Sequence, residues 1–142
     1  MIKSVEKYLR PGIEGTPFCS GCGHGILSNA ILRALNSLSV DENKVLFVSG
    51  IGCAGWISSP HYNFDTLHTL HGRAVPFAEG AKRANPSLLV IVVSGDGDLL
   101  SIGGNHIIHA ARRNTDITVI CANNLIYGMT GGQTACTTPK NA

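Results

Sequence analysis

The sequence predicts an α/β fold: an open, mostly parallel sheet with flanking helices. Three observations predict it. The runs Val90-Ile91-Val92-Val93-Ser94 and 117–122 are β-branched, apolar and bounded by turn residues, as strands buried in a parallel sheet are. Between them, 102–113 has apolar residues at helical spacing and ends in Arg112-Arg113-Asn114. Strand, helix and strand make one crossover unit. Gly95-Asp96-Gly97-Asp98 then falls at the carboxyl end of one strand and Asn123-Asn124 at that of the next, on the rim where such sheets bind ligands.

Bulk properties narrow the function classes. A chain of 142 residues predicts one domain, 1–142. An apolar share of 44% indicates a globular chain rather than a disordered one. A net charge of +2 without a basic cluster gives nucleic acid no electrostatic footprint. No apolar run is long enough to span a membrane. The charged first ten residues lack the apolar centre of a secretory signal, so a cytoplasmic location is expected. Glycine is in excess, 17 residues, and the excess sits in turns beside polar residues, where backbone can approach a cofactor.

Taken in order, 1–18 reads as an extended arm, because Pro11, Gly12, Gly15 and Pro17 break any helix. Cys19-Ser20-Gly21-Cys22-Gly23-His24-Gly25 follows. Two cysteines three apart can hold a metal or cluster in a tight turn. A redox dithiol or a zinc site is the competing reading of such a pair. The broken segment before it disfavours a thioredoxin-like unit, and zinc would need a fourth ligand. Apolar spacing over 26–38 predicts a helix, and 44–49 a short strand. That strand runs into Gly50-Ile51-Gly52-Cys53, which puts Cys53 on the same rim. The stretch 63–72 reads as a loop carrying His68 and His71. A helix is expected over 75–84. Cys121 reads as a small buried hydrophobe in a strand. The glycine- and threonine-rich stretch 125–142 reads as a loop over a ligand.

Asp96 offers a hard anionic oxygen and Asn124 a neutral one. With carbonyls, waters and phosphate oxygens they suit magnesium shared with a phosphorylated ligand. Gly95 and Gly97 let backbone approach a diphosphate, and the helix start after them can receive negative charge.

Gly95-Asp96-Gly97 followed by Asn123-Asn124 resembles the thiamine diphosphate motif. Its flanks, 99–105 and Ile126-Tyr127-Gly128-Met129-Thr130-Gly131-Gly132-Gln133, resemble the β subunit of 2-oxoacid:ferredoxin oxidoreductases, the 2-oxoglutarate type in particular. The resemblance implies Mg2+ held by Asp96, Asn124 and the carbonyl of Ile126. It implies a thiamine diphosphate site including Gly52, Cys53, His71, Gly95, Asp96, Gly97, Asp98 and Asn124. It also implies a 4Fe-4S cluster on Cys19, Cys22 and Cys53, with Cys136 outside the ligand set. His71 would position substrate or move a proton, and Arg73 would meet an anionic group bidentately.

The implied reaction is CoA-dependent oxidative decarboxylation of a 2-oxoacid, with electrons passed to ferredoxin. The family's α subunit would supply the carboxylate facing the aminopyrimidine, with Glu79 an unconvincing substitute. The resemblance covers about half of a typical β subunit, so the chain reads as C-terminally truncated, and as marginally stable and inactive alone. The alternative readings are a cysteine-based metal-binding or electron-carrying module without thiamine chemistry, and a different diphosphate-binding α/β enzyme.

Overall fold

In the computed structural model, which describes residues 5–13 and 15–142, four parallel strands form the central sheet. They are β1 (Val45–Ser49), β2 (Asp65–His68), β3 (Leu89–Gly95) and β4 (Thr118–Ala122), in the spatial order β2-β1-β3-β4. Register runs Val48↔Leu67 and Val48↔Val92 on either side of β1, and Gly95↔Ala122 between β3 and β4. The architecture is the expected α/β sheet with flanking helices.

Alternation sorts the strand side chains onto two faces. Phe47, Ile91 and Val93 point to one face, where α1 (Gly23–Ser37) packs Ile31, Leu32 and Leu35 against them with Tyr8, Tyr62 and Phe64. Val48, Val90 and Val92 point to the other. There α2 (Ala74–Ala84) contributes Ala74, Val75 and Ala78, and α3 (Gly104–Arg112) contributes Ala110. Small residues on both helices let them lie close to the sheet. β3 is covered on both faces and is buried from Val90 to Ser94, which is why its sequence is a continuous apolar run.

Three elements differ from expectation. β2 lies where the sequence predicts a loop, 63–72. It is an edge strand with exposed ends, Asp65 and His68, so it needs no apolar run. The helix expected over 102–113 is α3, Gly104–Arg112, and a π-helical segment, Gly97–Ile102, precedes it where a turn was expected. Single π turns concentrate at functional sites. The expected arm carries a 3-10 turn, Glu6–Tyr8, and an isolated bridge from Leu9 to Tyr62, with Tyr8 buried. Residues 1–4 and 14 of that arm lie outside the described residues. Beyond β4, β5 (Ile126–Tyr127) and β6 (Gln133–Thr134) form a small antiparallel hairpin. Among the described residues, no helix is long and apolar enough to cross a membrane.

Candidate functional site

Chain order reverses between β1 and β3: one connection leads from β1 outward to β2, and the next returns past it to β3. A crevice opens at such a reversal, at the carboxyl ends of the strands. The cleft found there draws on the end of every strand. Ile51, Gly52 and Cys53 follow β1, His71 follows β2, Asp96 follows β3 and Asn124 follows β4. Ile126, Tyr127 and Met129 close one side.

Asp96 is 1% exposed. Its Oδ1 accepts from the Asn124 backbone N–H at 3.3 Å, and its Oδ2 accepts from the Thr137 hydroxyl. Asn124 uses its Oδ1 to accept from Ile126 N–H at 3.2 Å, and Asn123 does the same for Leu125 at 3.0 Å. These side-chain turns hold Leu125 at φ 68, which redirects the chain at the cleft edge. The expected metal donors Asp96, Asn124 and Ile126 thus share one wall.

This oxygen-rich set fits a hard divalent cation. A Cβ placed on Gly95 would meet no protein atom nearer than 4.0 Å, so protein packing does not demand glycine there and its backbone is left open for a ligand. Gly52 has φ 132 and borders the same cleft. Gly97 differs. A Cβ there would lie 2.5 Å from the Tyr127 ring, so its bare backbone receives that ring directly.

Asp98 is committed to the protein. Its Oδ1 accepts from Ile51 N–H at 3.0 Å, Gly72 N–H at 2.7 Å and His71 Nδ1–H at 2.5 Å. Its Oδ2 accepts from the Ser94 hydroxyl. One carboxylate therefore ties together the turns after β1, β2 and β3. Because a carboxylate only accepts, the bonded His71 Nδ1 carries a proton and Nε2 is the free nitrogen. The Tyr127 ring stands edge-on to the imidazole, centroids 6.1 Å apart. Arg73 does not line the cleft; its Nη1 donates to the His71 carbonyl at 3.3 Å on an exposed rim.

The cysteines are spread out. Cys53 borders the cleft, Cys22 a neighbouring depression, and Cys19 is exposed. Among the described residues no group of three metal-ligating side chains of the His, Cys, Asp or Glu types forms. The expected set Cys19, Cys22 and Cys53 is thus not gathered around one point. Cys121 is half-buried on β4 rather than fully buried, and burial, then Asp96 and Cys136, push its thiol up.

Glu79 lies outside the cleft, buried against Arg113 and Thr115. Sequence reasoning gave no role to His24, which borders both depressions with Nδ1 3.0 Å from Cys22 Sγ, or to Thr137. His24 could have been flagged by its place beside the paired cysteines. Thr137 gave no signal, because its partner is 41 residues away.

Comparison with known proteins supplies independent context. Residues 50–142 match the family described as thiamine pyrophosphate enzyme, C-terminal TPP binding domain. The chain is 52% identical over 136 residues to a protein named 2-oxoglutarate synthase subunit KorB from Methanothermobacter marburgensis, covering 96% of this chain and 47% of that protein. It is 53% identical over 129 residues to a 2-oxoacid:ferredoxin oxidoreductase subunit beta from Saccharolobus solfataricus, covering 88% and 41%. Its fold superposes with TM-score 0.87 and 40% identity on a 2-oxoglutarate:ferredoxin oxidoreductase from Magnetococcus marinus, solved with 2-oxoglutarate, coenzyme A and succinyl-CoA bound. That match covers 92% of this chain and 44% of the other. The chain spans about half the length of the curated relatives it matches.

Proposed function

Since this chain belongs to the thiamine pyrophosphate enzymes, through their C-terminal TPP-binding domain, we propose that it forms the thiamine diphosphate site of a 2-oxoacid:ferredoxin oxidoreductase β subunit. Its reaction is then CoA-dependent oxidative decarboxylation of a 2-oxoacid, 2-oxoglutarate by its relatives' names, in concert with an α subunit and ferredoxin. The observation that carries this reading is the pairing of Asp96 and Asn124 at the ends of neighbouring strands, linked by the Asn124 N–H.

In this reading Asp96 and Asn124, with the Ile126 carbonyl, hold Mg2+ against the diphosphate. Bound there, thiamine diphosphate supplies the carbanion chemistry that a 2-oxoacid needs to lose carbon dioxide. The chain's own part is placement. Asp96 is held in one orientation from both of its oxygens. Asp98 fixes the spacing of three turns. His71 keeps its Nδ1 proton on Asp98 and presents Nε2 as a proton acceptor at the cleft. Ile51, Ala54 and Met129 give the cleft apolar walls that limit water. Arg73, outside the cleft lining, is assigned to an anionic group arriving at the rim.

A cluster on Cys19, Cys22 and Cys53 is the family's implication. Its support in this chain is only that Cys53 and Cys22 border adjoining depressions. Iron and labile-sulfide analysis of anaerobically purified protein tests it.

Calorimetric titration with thiamine diphosphate and Mg2+ tests the main reading. Binding that disappears in Asp96→Asn supports it. Equal behaviour of the two proteins would sink it.

A further inference from the structure

The turn Ala135–Thr138 is anchored at several points around the Asp96–Asn124 wall. Thr138 N–H donates to the Ala135 carbonyl at 3.1 Å, and Ala135 N–H to Thr138 Oγ1 at 2.8 Å, which closes the turn on itself. Cys136 N–H donates to Ser101 Oγ at 3.0 Å, fixing the turn to the π-helical segment. The Thr138 hydroxyl donates to the Leu125 carbonyl, inside the turn that carries Asn124 and Ile126. So held, Thr137 puts its hydroxyl on Oδ2 of Asp96, a carboxylate 1% exposed at the cleft wall.

We propose that Thr137 is a positioning residue for a divalent cation at Asp96: its hydroxyl bond to Oδ2 fixes the carboxylate, while Thr138 fixes the turn bearing the second donor. The proposal rests on the reading of Asp96 and Asn124 as the metal–diphosphate site. A carboxylate oxygen has two lone pairs, so a hydroxyl on one leaves the other for a cation. The Asn124 N–H holds Oδ1 in the same way. Carboxylates that ligate metals are themselves hydrogen-bonded, and losing such a support costs about 10–100-fold in metal affinity. Two consecutive threonines thus couple the turn 135–138 to Asp96 and to the turn that carries Asn124 and Ile126.

The test is Mn2+ binding to the full chain, with any subunit that co-purifies with it, in the presence of thiamine diphosphate. Electron paramagnetic resonance reads the loss of the free Mn2+ signal. Thr137→Val keeps the side chain's shape and removes the hydroxyl; Thr137→Ser keeps the hydroxyl; Asp96→Asn is the control. Weaker Mn2+ binding in Thr137→Val by about 10–100-fold, restored in Thr137→Ser, supports the proposal. Wild-type or tighter affinity in Thr137→Val, with Asp96→Asn defective, overturns the role of Thr137 and leaves Asp96 standing. Equal binding by wild type and Asp96→Asn, or no binding by either, overturns both readings.

Discussion

His71 and Asp98, 27 residues apart, are joined by one short hydrogen bond, Nδ1 to Oδ1 at 2.5 Å. Asp98 is 3% exposed while the His71 side chain is 36% exposed, so the pair runs from the core to the cleft. A buried carboxylate that fixes an imidazole tautomer at a ligand cleft is a general arrangement for presenting one nitrogen to chemistry. Nitrogen-15 NMR of labelled histidine is expected to show His71 protonated at Nδ1. Asp98→Asn should keep that preference and most of the fold, since an amide oxygen in the Oδ1 position still accepts from Nδ1–H, whereas Asp98→Ala offers no acceptor and should release it. Asp98→Ala leaves several buried donors unpaired and should cost about 3 kcal/mol or more. An unchanged His71 spectrum in Asp98→Ala would refute the orienting role.

Gly50 makes the same carboxylate vulnerable from another side. A Cβ at this position would stand 1.9 Å from Asp98 Oδ2, and Asp98 is held by bonds to the turns after β1 and β2 and to Ser94 of β3. Gly50→Ala is expected to lose about 1–3 kcal/mol, as overpacked sites do. Denaturant midpoints check the stability, and thiamine diphosphate affinity should fall with it. A variant as stable as wild type would show that Asp98 can move freely.

Tyr62 gives the alkaline limb of stability a specific origin. It is 0% exposed, its hydroxyl donates to the Ser28 carbonyl at 3.0 Å, and burial pushes its phenol up to about 12. A pKa raised in the folded state means that the unfolded chain loses its proton first. The stability is therefore present below 10.0, the unperturbed value, and is lost as pH rises toward about 12. Thermal melts over that window should fall more steeply for wild type than for Tyr62→Phe.

Glu79 acts at the acid end. Its carboxylate accepts from Arg113 through both oxygens and from the Thr115 hydroxyl, linking α2 to the turn before β4. The Arg113 hydrogen bonds hold the carboxyl below its usual value of 4.5. The folded state then favours the charged form. That stability is present above 4.5 and is lost as pH falls through the lower folded value. Glu79→Gln should cost about 1–3 kcal/mol at neutral pH and flatten the acid limb of the melting curve. Because Glu79 faces this clamp and not the cleft, thiamine diphosphate affinity in the folded variant should match wild type.

Much of the fold was written in local pattern. Val90 to Val93 had to be apolar without interruption because helices cover β3 on both faces, and that continuity is readable in one dimension. The paired Asp96 and Asn124 were readable for a related reason: Asp96 directly follows β3, Asn124 lies just past the end of β4, and parallel neighbours bring such positions to one rim. β2 escaped because an edge strand half-open to solvent needs no apolar run. The π-helical segment escaped because Gly97 and Asp98 read as a turn and its 6 residues are too few to show a period.

The sequence by itself determined three of the four strands, the rim at their carboxyl ends, and the glycines and oxygen donors offered there, because these depend on residues close together in the chain. Only the tertiary structure decided that Asp98 serves three turns, that Arg73 lies outside the cleft, that the cysteines do not gather into one group, and that Thr137 reaches Asp96. Each of these rests on partners 26 to 47 residues apart, or on their failure to meet. A hydrogen bond of that kind has no period in the sequence. It exists only once the packing of the layers has brought its donor and acceptor within reach.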